Sequence, residues 1–295
     1  MYKFLDETKS NLAVDTDTGE VVEAKTVVMP VGSKVITPKQ QEAYDEWREQ
    51  QLKKETRRKI QDEFGYFYFV MKEHEFGNIS AENAARLVYL CTFLNYNNEF
   101  VWSQRRRVMK SDLQDILLVS LKTAYKFWNE VKDKYIIDCG INGLKLVCPD
   151  IIRGRIDNNK PYTKFYIDGI RKIYKACPTN KHRYLGYIYK LLPYTNIEYN
   201  IFCHNPDETN IDNVKPLTLT EICSVIGLEE SHTDRLRKIY RSLIFECGGK
   251  DLYALIFIYN QSGIKSMRGF INPMIFYSGS NYTKVEILKL FAVKK

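Results

Sequence analysis

The stretch SDLQDILLVSLKTAYKFWNEVKDKYI, residues 111–136, has the pattern of a short helix, a tight turn and a longer basic helix. Ser111 can cap the first helix, residues 118–120 make the turn, and Ser120 can cap the second helix. The second helix has an apolar side at helical spacing, made of Ala124, Phe127, Trp128 and Val131. This pattern predicts a helix-turn-helix.

A hairpin signal follows directly, in YIIDCGINGLKLVC, residues 135–148. Asn142-Gly143 is a strong tight-turn dipeptide between two apolar segments. A helix, a helix-turn-helix and then a hairpin make up the order of a winged helix, and we predict that fold for this part of the chain.

The same order occurs a second time. Residues 217–244 again have a short helix, with Thr220 as its predicted cap, a turn at Gly227, and a basic helix. The next segment, 243–259, has a hairpin signal at Gly248-Gly249.

The segments that precede the two patterns also match each other. FYFVMKEHEFGNISAENAARLVYLCTFLNYNN (67–98) aligns without a gap over FYIDGIRKIYKACPTNKHRYLGYIYKLLPYTN (165–196), so that Phe67 meets Phe165 and Tyr68 meets Tyr166. We therefore predict an internal duplication. The predicted fold class is mainly α with small β-hairpins (α+β), arranged as two tandem winged-helix domains.

An N-terminal arm and helix precede these domains. Extended signals at 20–22 and 26–29 follow turn residues at 17–19, and a polar helix is predicted from Pro38 to Asp62. The predicted domains are residues 1–64 (arm and solvated helix), 65–160 (winged-helix domain 1) and 161–295 (winged-helix domain 2).

Charge is distributed unevenly along the chain. Residues 1–64 hold 11 Lys and Arg against 13 Asp and Glu, while residues 65–295 hold 33 against 23, and the whole chain has a net charge of +8. A basic folded body suits a polyanionic partner. The alternative is a solvated surface that keeps the protein soluble.

The sequence predicts no metal, no cofactor and no membrane partner. Seven cysteines are scattered and none forms CxxC, so we expect reduced thiols. Cys203-His204 has no second ligand pair at zinc spacing. No apolar run approaches about 18 residues, and the start lacks a signal-peptide pattern. We expect a cytoplasmic protein.

Catalytic motifs are also missing from the sequence. The four histidines never lie two apart, no GxxxxGK[ST] is present, and no Ser or Cys sits in a nucleophile elbow. We therefore expect no catalytic residues and no enzymatic activity.

In the first domain, the outward side of the helix that begins at Ser120 is the predicted DNA-reading surface. Its lysines would contact guanine edges or phosphates, and Asn129 would read adenine. A preceding arginine run would grip phosphates, and the wing would reach the flanking backbone. The predicted DNA-binding residues of this domain are Arg105, Arg106, Arg107, Lys110, Ser120, Lys122, Thr123, Tyr125, Lys126, Asn129, Asn142 and Lys145.

The second domain departs from this pattern, because Glu229-Glu230 stands where its basic helix opens. Glutamates favour a helix N-terminus but repel phosphate. The candidates for DNA contact are Ser231, His232, Arg235, Lys238 and Lys250. The alternative is a pairing surface or a second, weaker site.

Two segments resemble winged-helix replication proteins of plasmids and phages of low-GC Gram-positive bacteria. Members commonly show VSxxTxxKxWxxLxxxxII and, later, INPxIFYxG. The first motif is represented here by Val119, Ser120, Thr123, Lys126, Trp128 and Ile136-Ile137, and the second by residues 270–279. The order of elements is also shared with regulators of the antibiotic-resistance repressor type.

This resemblance implies a replication initiator that binds origin repeats in double-stranded DNA and recruits host replication proteins. The first alternative is a phage or plasmid transcriptional regulator, repressor or activator, with host transcription proteins as partners. The second is a winged-helix protein-interaction adaptor. A homodimer is a further expectation, since two such chains would bind a longer palindromic site.

Overall fold

The computed structural model describes residues 2–4, 12–15, 18–19, 21–23, 38–102, 106–156, 160–259, 267–279 and 290–293. The protein is mixed α/β, and its sheets are small and antiparallel. It divides into two compact units, Met1–Gln51 and Leu52–Lys295. The domain boundaries predicted at residues 64 and 160 were based on the order of elements in the sequence and not on contacts, and they stay a prediction.

The N-terminal unit contains a three-stranded antiparallel sheet. Strands β1 (Tyr2–Phe4), β2 (Leu12–Asp15) and β3 (Val21–Glu23) pair in chain order. Gly19 lies between β2 and β3 with a φ of +75°, in the predicted turn. The extended segment expected at 26–29 lies outside the described residues.

Helix α1, Pro38–Phe64, confirms the predicted polar helix. In the N-terminal unit its Tyr44 and Trp47 are more than half exposed. In the second unit, Ile60 and Phe64 are buried, and the Phe64 ring contacts Tyr166 edge-on at 5.0 Å. Only the last turns of α1 therefore carry an apolar stripe against a core.

The centre of the second unit is a four-stranded antiparallel sheet in the order β13-β8-β4-β7. Its strands are β4 (Phe67–Met71), β7 (Ile151–Ile152), β8 (Tyr162–Tyr166) and β13 (Phe276–Tyr277). The segment predicted as a separate closing motif, 270–279, supplies β13.

The two inner strands pair in a self-complementary register. Phe67 lies opposite Tyr166, and Tyr68 lies opposite Phe165. In the sequence alignment, however, Phe67 is equivalent to Phe165. Phe67 and Tyr68 therefore each face the equivalent of the other, which is the register that a two-fold axis between the strands produces.

A similar series of elements follows each inner strand, with one helix more in the second half. Residues 167–176 are helical, whereas the aligned residues 69–78 hold the end of a strand and a 3-10 turn, so the predicted gapless repeat does not hold there. After β4 come α2 (Ala81–Cys91), α3 (Leu113–Leu117), α4 (Leu121–Val131) and the hairpin of β5 (Ile136–Asp138) and β6 (Leu144–Leu146). After β8 come α5 (Ile167–Ala176), α6 (His182–Lys190), α7 (Leu219–Ile226), α8 (Thr233–Arg241) and the hairpin of β9 (Ile244–Cys247) and β10 (Lys250–Tyr253). A second hairpin, β11 (Leu255–Tyr259) and β12 (Met267–Ile271), leads to β13.

Residues 65–160, the first half, and residues 161–295, the second half, share one core. Helix α6 lies so close to α2 that a Cβ at Gly186 would be 1.7 Å from the carbonyl oxygen of Ala81. The ring of Tyr89 in α2 stacks on the ring of Tyr174 in α5 at 3.8 Å. Buried Lys72 donates a hydrogen bond to the carbonyl of Leu192 in the other half.

Two predicted helix caps are wrong by one or two residues. The first short helix is preceded by a 3-10 turn in which Asp112, rather than Ser111, accepts a hydrogen bond from Met109 N. In the second, Thr218, rather than Thr220, begins the helix, because Thr218 and Glu221 form a reciprocal capping box.

No helix in the described part of the chain combines the length and the apolar content that crossing a membrane requires.

Candidate nucleic-acid interface

Helix α4 presents a cationic outer side. Ala124, Phe127, Trp128 and Val131 are buried, as predicted from their spacing. Because a helix turns 100° per residue, the positions between them point away from the core. Lys122, Lys126 and Asn129 are exposed there.

Ser120 caps the N-terminus of α4, as predicted. Its Oγ accepts a hydrogen bond from Thr123 N at 3.4 Å and lies 3.0 Å from Thr123 Oγ1. Ser120 is exposed, and Thr123 is half-buried. The first amides of α4 and these two hydroxyls therefore form a polar, solvent-facing end that can receive an anion.

The outer side of α4 also has apolar area. Leu121 and Tyr125 are 70% and 61% exposed, and Leu118, just before the helix, is 56% exposed. Leu118 ends α3 with a left-handed φ of +53°, which turns its side chain away from the core. Lys122 and Lys126 are therefore accompanied on this helix by exposed apolar side chains, and the surface is not purely charged.

The arginine run before α3 is partly paired within the protein. Arg105 lies outside the described residues. Arg106 forms an ion pair with Asp112 and lies 5.5 Å over the Trp102 ring, although 61% of its side chain stays exposed. Arg107 donates a hydrogen bond to Asn142 Oδ1.

Arg107 contacts the β5–β6 hairpin, and Lys110, which follows the arginine run, contacts α4. Lys110 Nζ lies 5.1 Å over the ring of Trp128 in α4. The Arg107–Asn142 bond reaches the hairpin turn, where Gly143 has a φ of +76° and a Cβ would meet the Val108 carbonyl oxygen at 2.8 Å. Exposed Lys145 follows in β6. Of the predicted residues of the first half that can be described, Thr123 is half-buried and the others are exposed.

The corresponding surface of the second half has mixed charge. Arg235 and Lys238 are exposed on α8, and Lys250 is exposed just after the Gly248-Gly249 turn. Ser231 lies in the 3-10 turn that opens this region. His232 is half-buried, with Nε2 at 3.8 Å from a Glu229 carboxylate oxygen.

Acidic groups oppose these cations. Glu229, Glu230 and Asp234 are all exposed at the start of α8, and Asp234 pairs with Arg237. The predicted difference between the two halves is therefore visible in the side-chain placement, and the cationic surface of the first half is the stronger candidate for a polyanion.

The structure also brings together three side chains that the sequence did not single out. His74, Cys148 and Asp150 place one potential ligand atom each within 4.8 Å of one another. The pair of Cys148 and Asp150 is local, but His74 joins them only through the pairing of β4 with β7, which sequence spacing does not indicate.

The chain was compared with protein-family models, with curated proteins and with solved structures, and none of the three comparisons gives a match.

Proposed function

We propose that the chain is a non-enzymatic, sequence-specific binder of double-stranded DNA, built from two duplicated winged-helix domains and acting in the cytoplasm as a plasmid or phage replication initiator at origin repeats. The observation that carries the proposal is the exposed cationic side of α4, where Lys122 and Lys126 point to solvent. An α-helix fits the major groove, so this side can meet base edges directly.

The groups on α4 divide by what they can recognise. Asn129 has the donor and acceptor pair that matches adenine, and the two lysines match guanine edges or phosphates. Exposed Leu121 and Tyr125 offer apolar contact to a thymine methyl. Ser120 and the first amides of the helix suit a phosphate.

The surroundings of α4 supply contacts that position the protein without reading sequence. Arg107 is held against Asn142 at the hairpin turn, and Lys145 stands on the same hairpin. Phosphate contacts on either side of a groove fix the register of a recognition helix. The β5–β6 hairpin would take the role of the wing.

The register of β4 and β8 supports a two-fold arrangement of the recognition helices α4 and α8. Two helices related in this way can address two half-sites on one face of a duplex, roughly 34 Å apart. The acidic start of α8 predicts that the second half contributes less affinity than the first.

The exposed apolar residues around α4 favour one alternative from another class, a protein-interaction adaptor. Leu118, Leu121 and Tyr125 form an apolar patch of the kind that marks contact surfaces. This alternative requires that the protein has no salt-dependent affinity for duplex DNA.

The test is the paired substitution K122A/K126A, measured on a duplex that the wild-type protein selects from a random-sequence library. Loss of the two contacts should weaken binding about 10- to 100-fold, and the slope of log affinity against log salt should flatten by about two. The matched control K175A/K215A removes two exposed lysines of the second half and should leave both values near wild type.

Equal affinity and salt slope in the two double variants would contradict the DNA proposal, and no binding by the wild type would favour the adaptor. The selected sequence separates the remaining roles. A tandem array of selected sites supports an initiator, whereas a single site across a promoter supports a transcriptional regulator.

A further inference from the structure

A cluster of three chemically different side chains lies next to the pairing of β4 with β7. His74 follows β4, while Cys148 and Asp150 lie between β6 and β7. His74 Nδ1 is 2.8 Å from Asp150 Oδ2. The potential ligand atoms of all three residues lie within 4.8 Å of one another.

The cluster is buried at His74 and Cys148 and partly exposed at Asp150. His74 and Cys148 are 6% and 8% exposed, while the Asp150 side chain is 29% exposed. Asp150 opens to a cleft that is also lined by Glu73, Glu75 and Lys134. An ion could therefore enter from solvent, and the acids around the cleft outnumber its single lysine.

The imidazole of His74 is held but not fully paired. Its ring lies edge-on to Phe76 at 4.5 Å and to Tyr135 at 5.9 Å. Nε2 is buried and has no hydrogen-bond partner among the described residues. No contact at Nε2 fixes the tautomer, so the ring proton can move there when a cation takes Nδ1.

Cys148 adds a sulfur ligand to the nitrogen of His74 and the oxygen of Asp150, and it is buried at 8% exposure. The thiolate is the form of cysteine that binds a metal, so binding of a divalent cation releases the thiol proton.

We propose that His74, Cys148 and Asp150 bind a divalent transition-metal ion of the zinc class. Imidazole, thiolate and carboxylate are all ligands that Zn²⁺ accepts, whereas Mg²⁺ and Ca²⁺ take oxygen ligands. Three protein ligands leave a fourth position, which water or the Glu73 or Glu75 carboxylate fills. Binding transfers the Cys148 thiol proton to solvent and moves the imidazole proton from Nδ1 to Nε2.

The required movement is small. Zinc–nitrogen and zinc–oxygen bonds of about 2.0–2.1 Å in a tetrahedron place those two ligand atoms about 3.3 Å apart. His74 Nδ1 and Asp150 Oδ2, at 2.8 Å, must therefore separate by about 0.5 Å. The sulfur must lie about 3.6 Å from both atoms, and the three residues already place one potential ligand atom each within 4.8 Å of one another.

The ion would join two segments that are far apart in the sequence. It would fasten the turn after β4 to the segment that leads from the β5–β6 hairpin to β7. The site does not depend on DNA binding, and its test needs no DNA.

The experiment is a titration of the full-length, chelator-treated protein with Co²⁺, followed by competition with Zn²⁺. We expect a thiolate-to-cobalt charge-transfer band and tetrahedral visible bands that saturate at one equivalent and disappear when Zn²⁺ is added. Zn²⁺ should also raise the thermal unfolding midpoint by several degrees.

Variants assign the ligands. C148S should lose the charge-transfer band, and D150N should weaken Co²⁺ binding at least tenfold. C139S, a change of the same kind at a half-buried cysteine of the same half, should behave as wild type. If C148S loses the native circular dichroism spectrum, D150N at its more exposed position decides.

Either of two results would overturn the proposal. One is the absence of saturable Co²⁺ binding by the wild-type protein. The other is an unchanged band and affinity in C148S or D150N, which would place the ion at other residues.

Discussion

Acid should destabilise the protein through one buried histidine, His182, the first residue of α6. It is 2% exposed, and its ring lies 4.3 Å from the ring of Tyr174. A hydrogen bond with the backbone of Cys177 is its polar contact, while Nδ1 is buried with no partner among the described residues. Protonation would place a charged N–H where no acceptor is present. Burial and the nearby charge of Arg86 lower the pKa to about 4.

The magnitude follows from the difference between this pKa and the ordinary value of 6.5. Between pH 6.5 and pH 4 the unfolded chain binds a proton at this histidine and the folded chain does not. Stability is therefore fully present above pH 6.5 and is lost as the pH falls towards 4. A difference of about 2.5 pKa units corresponds to about 3 kcal/mol of unfolding free energy.

The assay is urea unfolding of the wild type and of His182→Phe at pH 7, 6, 5 and 4. Phenylalanine keeps a ring against Tyr174 but cannot be protonated. The wild type should lose about 3 kcal/mol more than the variant over this range, since effects of carboxylates are common to both. His204→Gln, at an exposed histidine, is the control and should follow the wild type. Parallel losses in wild type and His182→Phe would refute the reasoning.

Two further predictions concern packing and capping. Gly186→Ala should lower the unfolding midpoint by several degrees, a cost of roughly 1–3 kcal/mol, because its Cβ would overlap the Ala81 carbonyl. Gly77→Ala, where a Cβ meets nothing within 4 Å, is the control, and an equal midpoint in both would contradict this packing. Thr218→Ala should cost about 1 kcal/mol in urea unfolding, because it removes the hydroxyl that accepts a hydrogen bond from Glu221 N and donates one to the Glu221 carboxylate. Thr218→Ser should retain most of that stability, and an equal loss in the serine variant would argue against the cap.

The helices and hairpins could be predicted because their signals are local. The spacing of Ala124, Phe127 and Val131 defines the buried side of α4. Gly248-Gly249 forms the two-residue turn of the β9–β10 hairpin, as predicted. The tight turn predicted at Asn142-Gly143 is wrong, because the β5–β6 hairpin turns through the five residues 139–143, which include a 3-10 turn. Cap positions were less predictable, since Thr218 and Thr220 are both acceptable caps by composition. Only the position of Glu221, three residues after Thr218, distinguishes them.

The central sheet could not be predicted from local patterns. Strands β7 and β13 have two residues each, which is too short to show an alternating period. Their partners are also distant, since Phe276 pairs with Phe165 and Ile151 with Val70. Long-range pairing of short segments leaves no mark in a single sequence.

The candidate interface was more predictable than its internal contacts. Exposure of Lys122 and Lys126 follows from the helix period alone. The bond between Arg107 and Asn142, however, joins positions that no motif relates. The cluster of His74, Cys148 and Asp150 was not predicted for the same reason. Metal-ligand motifs are recognised when the ligands are close in the sequence, and His74 is far from the other two residues.

The pairing of β4 with β8 has a consequence for the chain's quaternary behaviour. Strand β4 pairs with β8, which is its equivalent in the second half. The same register would let β4 of one molecule pair with β4 of another, with Phe67 of one opposite Tyr68 of the other. A fragment that ends near residue 160 would expose the β4 edge, which β8 normally covers. Two such fragments would pair through β4 around the contact that the intact chain makes internally, so it is β8 that keeps this edge from pairing with other copies.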